Sequence, residues 1–144
     1  MSRTKTPLGE RLFNKLMTLR SRLGIAPPTL YELDVVGRSS GEVRTTPVTL
    51  LETSGERYLV APRGEVQWVL NARAAGRVTL RQGSAGASWT VQELADDAKP
   101  ALLKVYLERF GAAVGQHFPI SASADLSAFA DIASRYPVFK LQAL

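Results

Sequence analysis

The sequence predicts an α+β fold in which a small antiparallel β-barrel is covered by helices. Three observations carry that expectation. Strand-like segments outnumber helical ones, and they arrive in pairs joined by glycine turns, as hairpins do. A length of 144 residues with 45% hydrophobic content suits one core, with no sign of a repeat array or of disorder.

In residues 8–23, LGERLFNKLMTLRSRL, Leu8, Leu12, Leu16, Leu19 and Leu23 fall at helical spacing, and Phe13 and Met17 widen the apolar stripe. Arg11, Lys15, Arg20 and Arg22 occupy the other face, and GIAPP at 24–28 ends the helix with a glycine and two prolines. Such a helix either covers the core or adsorbs reversibly to an anionic membrane surface. The expected division is an amphipathic helix and linker over 1–28 and the barrel domain over 29–144.

The segments LYELDVVG, VRTTPVTLLE and RYLVAP read as a meander, with TSGE as the turn between the last two. Pro47 removes a ladder donor from the second strand, so that stretch is expected at an edge or a bulge. EVQWVLNARAAG, 65–76, puts Val66, Val69 and Leu70 on one face and stops at Gly76, which predicts a short helix. RVTLRQ and SWTVQELA form a hairpin around GSAGA, with Val78 and Leu80 facing opposite to Thr79 and Arg81. DDAKPALLKVYLERFG predicts a second helix, with Pro100 in its first turn and Leu103, Tyr106, Leu107 and Phe110 at helical spacing. AAVGQHFPISASA reads as irregular, DLSAFADIAS as a helix capped by a serine or aspartate, and YPVFKL as the last strand.

Composition closes several routes. Without cysteine there are no disulfides, thiolate metal sites or cysteine nucleophiles. No run approaches the roughly 20 apolar residues of a membrane span. MSRTKTPLGERLF lacks the apolar stretch of a secretory signal, so a cytoplasmic protein is expected. A net charge of +5 favours anionic partners. Nucleic acid is not expected among them, because there is no dense basic stripe, zinc spacing or aromatic ribonucleoprotein signature.

Two clusters carry candidate chemistry. GRSSGEVRTTPV, 37–48, gathers Arg38 and Arg44, the hydroxyls of Ser39, Ser40, Thr45 and Thr46, and the turn glycines Gly37 and Gly41. It reads either as a site for phosphate or carboxylates or as a polar hairpin loop. APRGEVQW, 61–68, places Arg63 where a strand leads into a helix, whose N-terminus favours an anion. Trp68 belongs either to the core or against a flat ligand, and Asn71 and Arg73 face either solvent or ligand. The single His117 has no partner for a metal or a dyad, and Asp96 and Asp97 suit a helix start. No metal is expected, and the catalytic residue stays unassigned. An enzyme with this sequence needs a cofactor to carry the reactive group.

The succession of GRSSGEVRTTPV, RYLVAPRGEVQWVLNARAAGRVTL and YPVFKL, within residues 30–141, resembles the deazaflavin-dependent nitroreductase family, the coenzyme F420-dependent quinone and nitro reductases of actinobacteria. The most specific matches are the Gly-Arg-x-Ser/Thr-Gly turn with its downstream arginine and proline, and the Trp-x-x-Asn of the short helix. The resemblance implies a split β-barrel like that of the flavin-binding pyridoxamine phosphate oxidases. It implies that Arg38, Ser39, Arg44, Thr45, Thr46 and Pro47 contact the cofactor's phosphate and ring. Ala61, Pro62, Arg63 and Gly64 match the family's loop, with Arg63 in the anion-binding place of a lysine, and Trp68, Asn71 and Arg73 match its helix. Tyr106, Phe110, His117 and Phe118 lie in the region of the family's substrate-side tyrosines, without a clear match to them. Ser39 stands where many relatives carry a basic residue, and the loop before Trp68 is shorter and poorer in glycine and lysine. Both departures thin the anion site, so FMN and FAD stand as alternatives to F420. The implied activity is hydride transfer from reduced deazaflavin to a small-molecule acceptor, a quinone, nitroaromatic or activated enone. A non-catalytic carrier of F420, a flavin or a lipophilic ligand is the rival reading. Barrels of this class often pair, so a homodimer is compatible with either.

Overall fold

The computed structural model describes residues 29–144, and the helix expected over 8–23, with its membrane contact, lies outside the described residues. β1 (Leu30–Val36), β2 (Val43–Thr53) and β3 (Glu56–Val60) form the meander. A short helix, α1 (Gln67–Ala75), leads to the hairpin of β4 (Arg77–Gln82) and β5 (Ala85–Glu93). Then α2 (Pro100–Val114) and α3 (Leu126–Ile132) precede β6 (Val138–Ala143). The strands close in the order β1-β2-β3-β6-β5-β4 with every neighbour antiparallel, the expected α+β barrel.

Alternation along the strands sorts side chains into two cores. Leu33, Val35, Leu50, Leu59, Val78, Leu80, Trp89 and Phe139 fill the barrel. Leu51, Val60 and Val138, one position along from barrel residues, face outward and are covered by Leu103, Tyr106 and Leu107 of α2 and by Phe129 and Ile132 of α3. β2, β3 and β6 are therefore buried on both faces where the helices lie. This is why their sequences contain short continuous apolar runs.

β2 changes partner halfway. Residues Val43 to Thr49 pair with β1, whereas Leu50 to Thr53 pair with β3. Among the described residues the first half thus has no strand on its second side, and the barrel is split there. Leu50 N–H donates to Thr29 O at 2.8 Å, and strand alternation then turns the main chain of Val48, Thr46 and Arg44 toward β1 and that of Thr45, Pro47 and Thr49 toward the split. Pro47 therefore costs no ladder bond, as its edge position requires.

Three boundaries differ from the sequence reading. The β4–β5 loop is two residues long, because Gln82 pairs with Ala85 and Gly83 takes φ 60°, the conformation a two-residue turn needs. Ala85, Gly86 and Ala87 are strand; their small side chains resemble a loop in sequence but pair with β4. α2 runs on to Val114, because Val114 is buried against the outer core and the alanines before it are good helix formers. β6 begins at Val138, two residues later than expected, because Tyr136 caps a 3₁₀ turn and its hydroxyl donates to His117 O at 2.5 Å. The capping residue of α3 is Asp125, which accepts from Ala128 N–H at 3.0 Å.

Candidate functional site

A cleft of about 960 Å³ runs along the split, large enough for a cofactor ring and a second small molecule. Its floor is the unpaired edge of β2 from Arg44 to Thr49, and one end is the β1–β2 turn. The opposite wall is the segment Val60–Arg63 with the first turns of α1, and Tyr106 and Val114 of α2 close the far side.

The turn is held from within and from α1. Gly37 N–H donates to Glu42 O at 2.7 Å. A Cβ on Gly37 would lie 2.8 Å from Ser40 Oγ and 3.2 Å from Glu42 O, so any larger residue would have to displace the Ser40 side chain and press on the Glu42 carbonyl that closes the turn. Arg38 reaches across to α1: its main-chain N–H and its Nη1 both donate to Asn71 Oδ1, at 3.0 and 2.8 Å, and Nη1 also donates to Gln67 Oε1 at 3.0 Å.

Along β2, Val48 packs against the barrel core, so Arg44 and Thr46, on the same face, point to the barrel mouth. Thr45 points the other way, and its hydroxyl donates to Asp34 Oδ1 at 2.7 Å. The Arg81 guanidinium, at 2.5 Å from Asp34, and then the Thr45 hydroxyl hold that carboxyl below the usual carboxylate range. The Thr45 hydroxyl is thus occupied outside the barrel, and what Thr45 presents to the cleft is its main chain. On the opposite wall, Ala61 is fixed by its N–H to Pro137 O at 2.9 Å, and half-buried Trp68 packs tilted on Phe139 at 5.8 Å between ring centres.

Charge is distributed unevenly over this surface. Arg57, Arg73, Arg81 and Lys99 each sit against a carboxylate. Arg38, Arg44 and Arg63, all at the cleft, have no carboxylate partner among the described residues. The cleft therefore offers guanidinium groups with no carboxylate beside them among the described residues, apolar walls of Val48, Val66 and Trp68, and a strand edge with both donors and acceptors. That donor set fits a flat heterocycle with an anionic tail. Among the described residues, no group of three or more His, Cys, Asp or Glu side chains converges as a metal site would require.

Of the residues assigned to a cofactor from sequence, Arg38, Ser39, Arg44, Thr45, Thr46, Pro47, Ala61, Pro62, Arg63, Trp68 and Asn71 line the cleft. Gly64 lies behind it, its N–H bonded to Ala61 O at 3.2 Å. Arg73 is turned away: Glu93 at 2.6 Å and Glu65 at 2.8 Å hold its guanidinium. Among the expected substrate residues, only Tyr106 reaches the cleft. Phe118 stacks on Tyr136 with ring centres 4.2 Å apart, Phe110 packs on the edge of Tyr106, and the His117 carbonyl receives the Tyr136 hydroxyl. These three belong to the outer core and its edge. The structure adds Gln67 and Thr49. Thr49 was readable as the next residue after 45 and 47 on the strand edge, whereas Gln67 had no sequence signal.

The Tyr106 ring is 1% exposed, and its hydroxyl has no hydrogen-bond partner among the described residues, unlike that of Tyr136. Burial pushes the pKa of this hydroxyl well up, so it stays protonated as a donor.

Comparisons with known proteins agree with this geometry. A structure described as an F420-H2 dependent reductase (FDR-A) is 20% identical, with a TM-score of 0.52 over 79% of this chain and 94% of that one. An FAD-binding protein from Mesorhizobium loti is 16% identical, with a TM-score of 0.56 over 98% and 94% of the two chains. A putative pyridoxamine 5′-phosphate oxidase from Listeria innocua is 12% identical, with a TM-score of 0.55 over 92% and 93%. At these identities the likeness is one of fold, and it is the split β-barrel that they share. No protein of curated function matches the chain. The family model described as F420H(2)-dependent quinone reductase matches residues 13–117, which include β1 to β5, the arginine turn and α1, and the chain belongs to that family.

Proposed function

We propose that this member of a reductase family binds F420 in the cleft along the β2 edge and reduces a neutral, flat acceptor, a quinone, nitroaromatic or activated enone. The observation that carries this reading is the set of three cleft arginines without a carboxylate partner among the described residues, in a cleft whose walls also include Val48, Val66 and Trp68. Arg38, Arg44 and Arg63 would anchor the phosphate and acidic tail, and the main-chain groups of Thr45, Pro47 and Thr49 would meet the polar edge of the ring. Trp68 and Val48 would hold the ring's apolar faces and exclude water. When bound, the reduced deazaflavin supplies a hydride. Tyr106 then serves the acceptor side, donating a hydrogen bond to its carbonyl or nitro oxygen from a hydroxyl that burial keeps protonated. The FAD-binding neighbour supports a flavin as the second reading for the cofactor, because the strand edge suits either ring.

The test is a parallel fluorescence titration with oxidised F420, FMN and FAD, followed by turnover of a quinone with the reduced form of whichever binds. F420 is expected to bind at least tenfold more tightly than the flavins. Tyr106→Phe is expected to lower kcat/KM for the acceptor by roughly tenfold, the loss of one hydrogen bond of about 1.5 kcal/mol, with cofactor affinity unchanged. Tighter FMN or FAD binding moves the chain to the second reading, and binding without turnover makes it a carrier.

A further inference from the structure

Among the described residues, Arg38 is held by two side chains, and neither of them is charged. Its Nη1 is shared between Gln67 Oε1 at 3.0 Å and Asn71 Oδ1 at 2.8 Å, and its own N–H adds a third bond to Asn71 at 3.0 Å. Gln67 and Asn71 stand four apart on α1, so their amides lie one above the other on the face that meets the turn. Asn71 is 5% exposed, one of few polar residues buried among the described residues. A carboxylate at either position would bind a guanidinium more strongly than an amide does, and two positions further along the same helix Arg73 is held in that way by Glu65 and Glu93. The amides fix Arg38 without cancelling its charge.

We infer that Asn71 is a positioning residue, which sets the Arg38 guanidinium at the cleft mouth through its side-chain oxygen and leaves the full positive charge for a phosphate. This rests on the F420 reading for the identity of the phosphate, but the charge argument holds for any phosphate that enters the cleft. Asn71 thereby acts on affinity for the anionic tail and leaves the ring site alone.

Asn71→Asp separates the roles, because it keeps an acceptor in the same place and adds a charge. The variant is expected to match or exceed the wild-type melting temperature while binding F420 about tenfold more weakly. It should bind the phosphate-free deazaflavin fragment of the cofactor within twofold of wild type. In an Arg38→Ala background, Asn71→Ala, which removes the acceptor without adding a charge, is expected to have no further effect on F420 affinity. Unchanged affinity for both ligands makes Asn71 merely structural, and equal loss for both makes it a direct ring contact; either result overturns the inference. Should Asn71→Asp fail to fold, Gln67→Glu places a carboxylate on the same guanidinium nitrogen from an exposed position and is expected to show the same selective loss. Should the wild type bind no F420, the F420 reading fails by itself, and inorganic pyrophosphate decides the inference. It is expected to raise the wild-type melting temperature more than that of Asn71→Asp, and equal shifts, or none in the wild type, overturn it.

Discussion

Arg44→Ala is expected to weaken F420 binding by roughly 10- to 100-fold while leaving the melting temperature nearly unchanged. A hydrogen bond to a charged group is worth about 1.5–3 kcal/mol, and every 1.4 kcal/mol is a factor of ten in affinity. Folding does not depend on the same group. The Arg44 side chain is exposed, has no carboxylate partner among the described residues and lies on an unpaired strand edge. Substitutions at such places usually change stability by less than about 0.5 kcal/mol. Arg44→Lys is expected to fall between the two, since it keeps the charge and loses the fork. Calorimetric titration beside a thermal melt reads both quantities. A melting temperature that falls in step with affinity would place Arg44 in the fold rather than the site.

The largest loss of stability is expected at Phe139, where alanine should cost about 3–5 kcal/mol. The side chain is 1% exposed at the centre of the barrel, on a strand paired with β3 on one side and β5 on the other. Its ring also backs Trp68, which lines the cleft. Against a total stability of about 5–15 kcal/mol, the alanine variant is measured best by its denaturation midpoint at low temperature. Phe139→Leu is the milder probe. It should remain folded and still bind cofactor less tightly, because Trp68 loses the surface that sets its tilt. Normal affinity in Phe139→Leu would show that the cleft wall holds its shape without that contact.

Much of the fold was legible because local chemistry determined it. Pro100 at the first helical turn, Asp125 at a cap and Gly76 at a helix end each act within a few residues, and the structure keeps all three. The shorter β4–β5 turn was hidden because Ala85 and Gly86 have weak strand preference by themselves and become strand only against β4. Val114 reads as irregular in sequence for a similar reason: its helical state depends on the outer core, which is assembled from residues distant in sequence.

The cleft divides in the same way. The turn arginines and the strand edge are close in sequence, so their convergence could be read from spacing. Arg73 stands two residues past Asn71, about 200° around a helix of 3.6 residues per turn, and so points away from the face that carries Asn71. Its partner Glu93 comes from β5, which no local pattern indicates. Tyr106, Phe110 and Phe118 look alike as aromatic residues of one region; all three pack in or beside the outer core, and of them Tyr106 alone also lines the cleft. By itself, then, the sequence determined the strands, their hairpins and the cluster of cationic donors, because alternation, turn conformation and charge are properties of neighbouring residues. Only the tertiary structure decided which arginines have no carboxylate beside them among the described residues and which aromatic residue reaches the cleft, because a charge is cancelled, or a side chain buried, by whatever the fold brings against it from far along the chain.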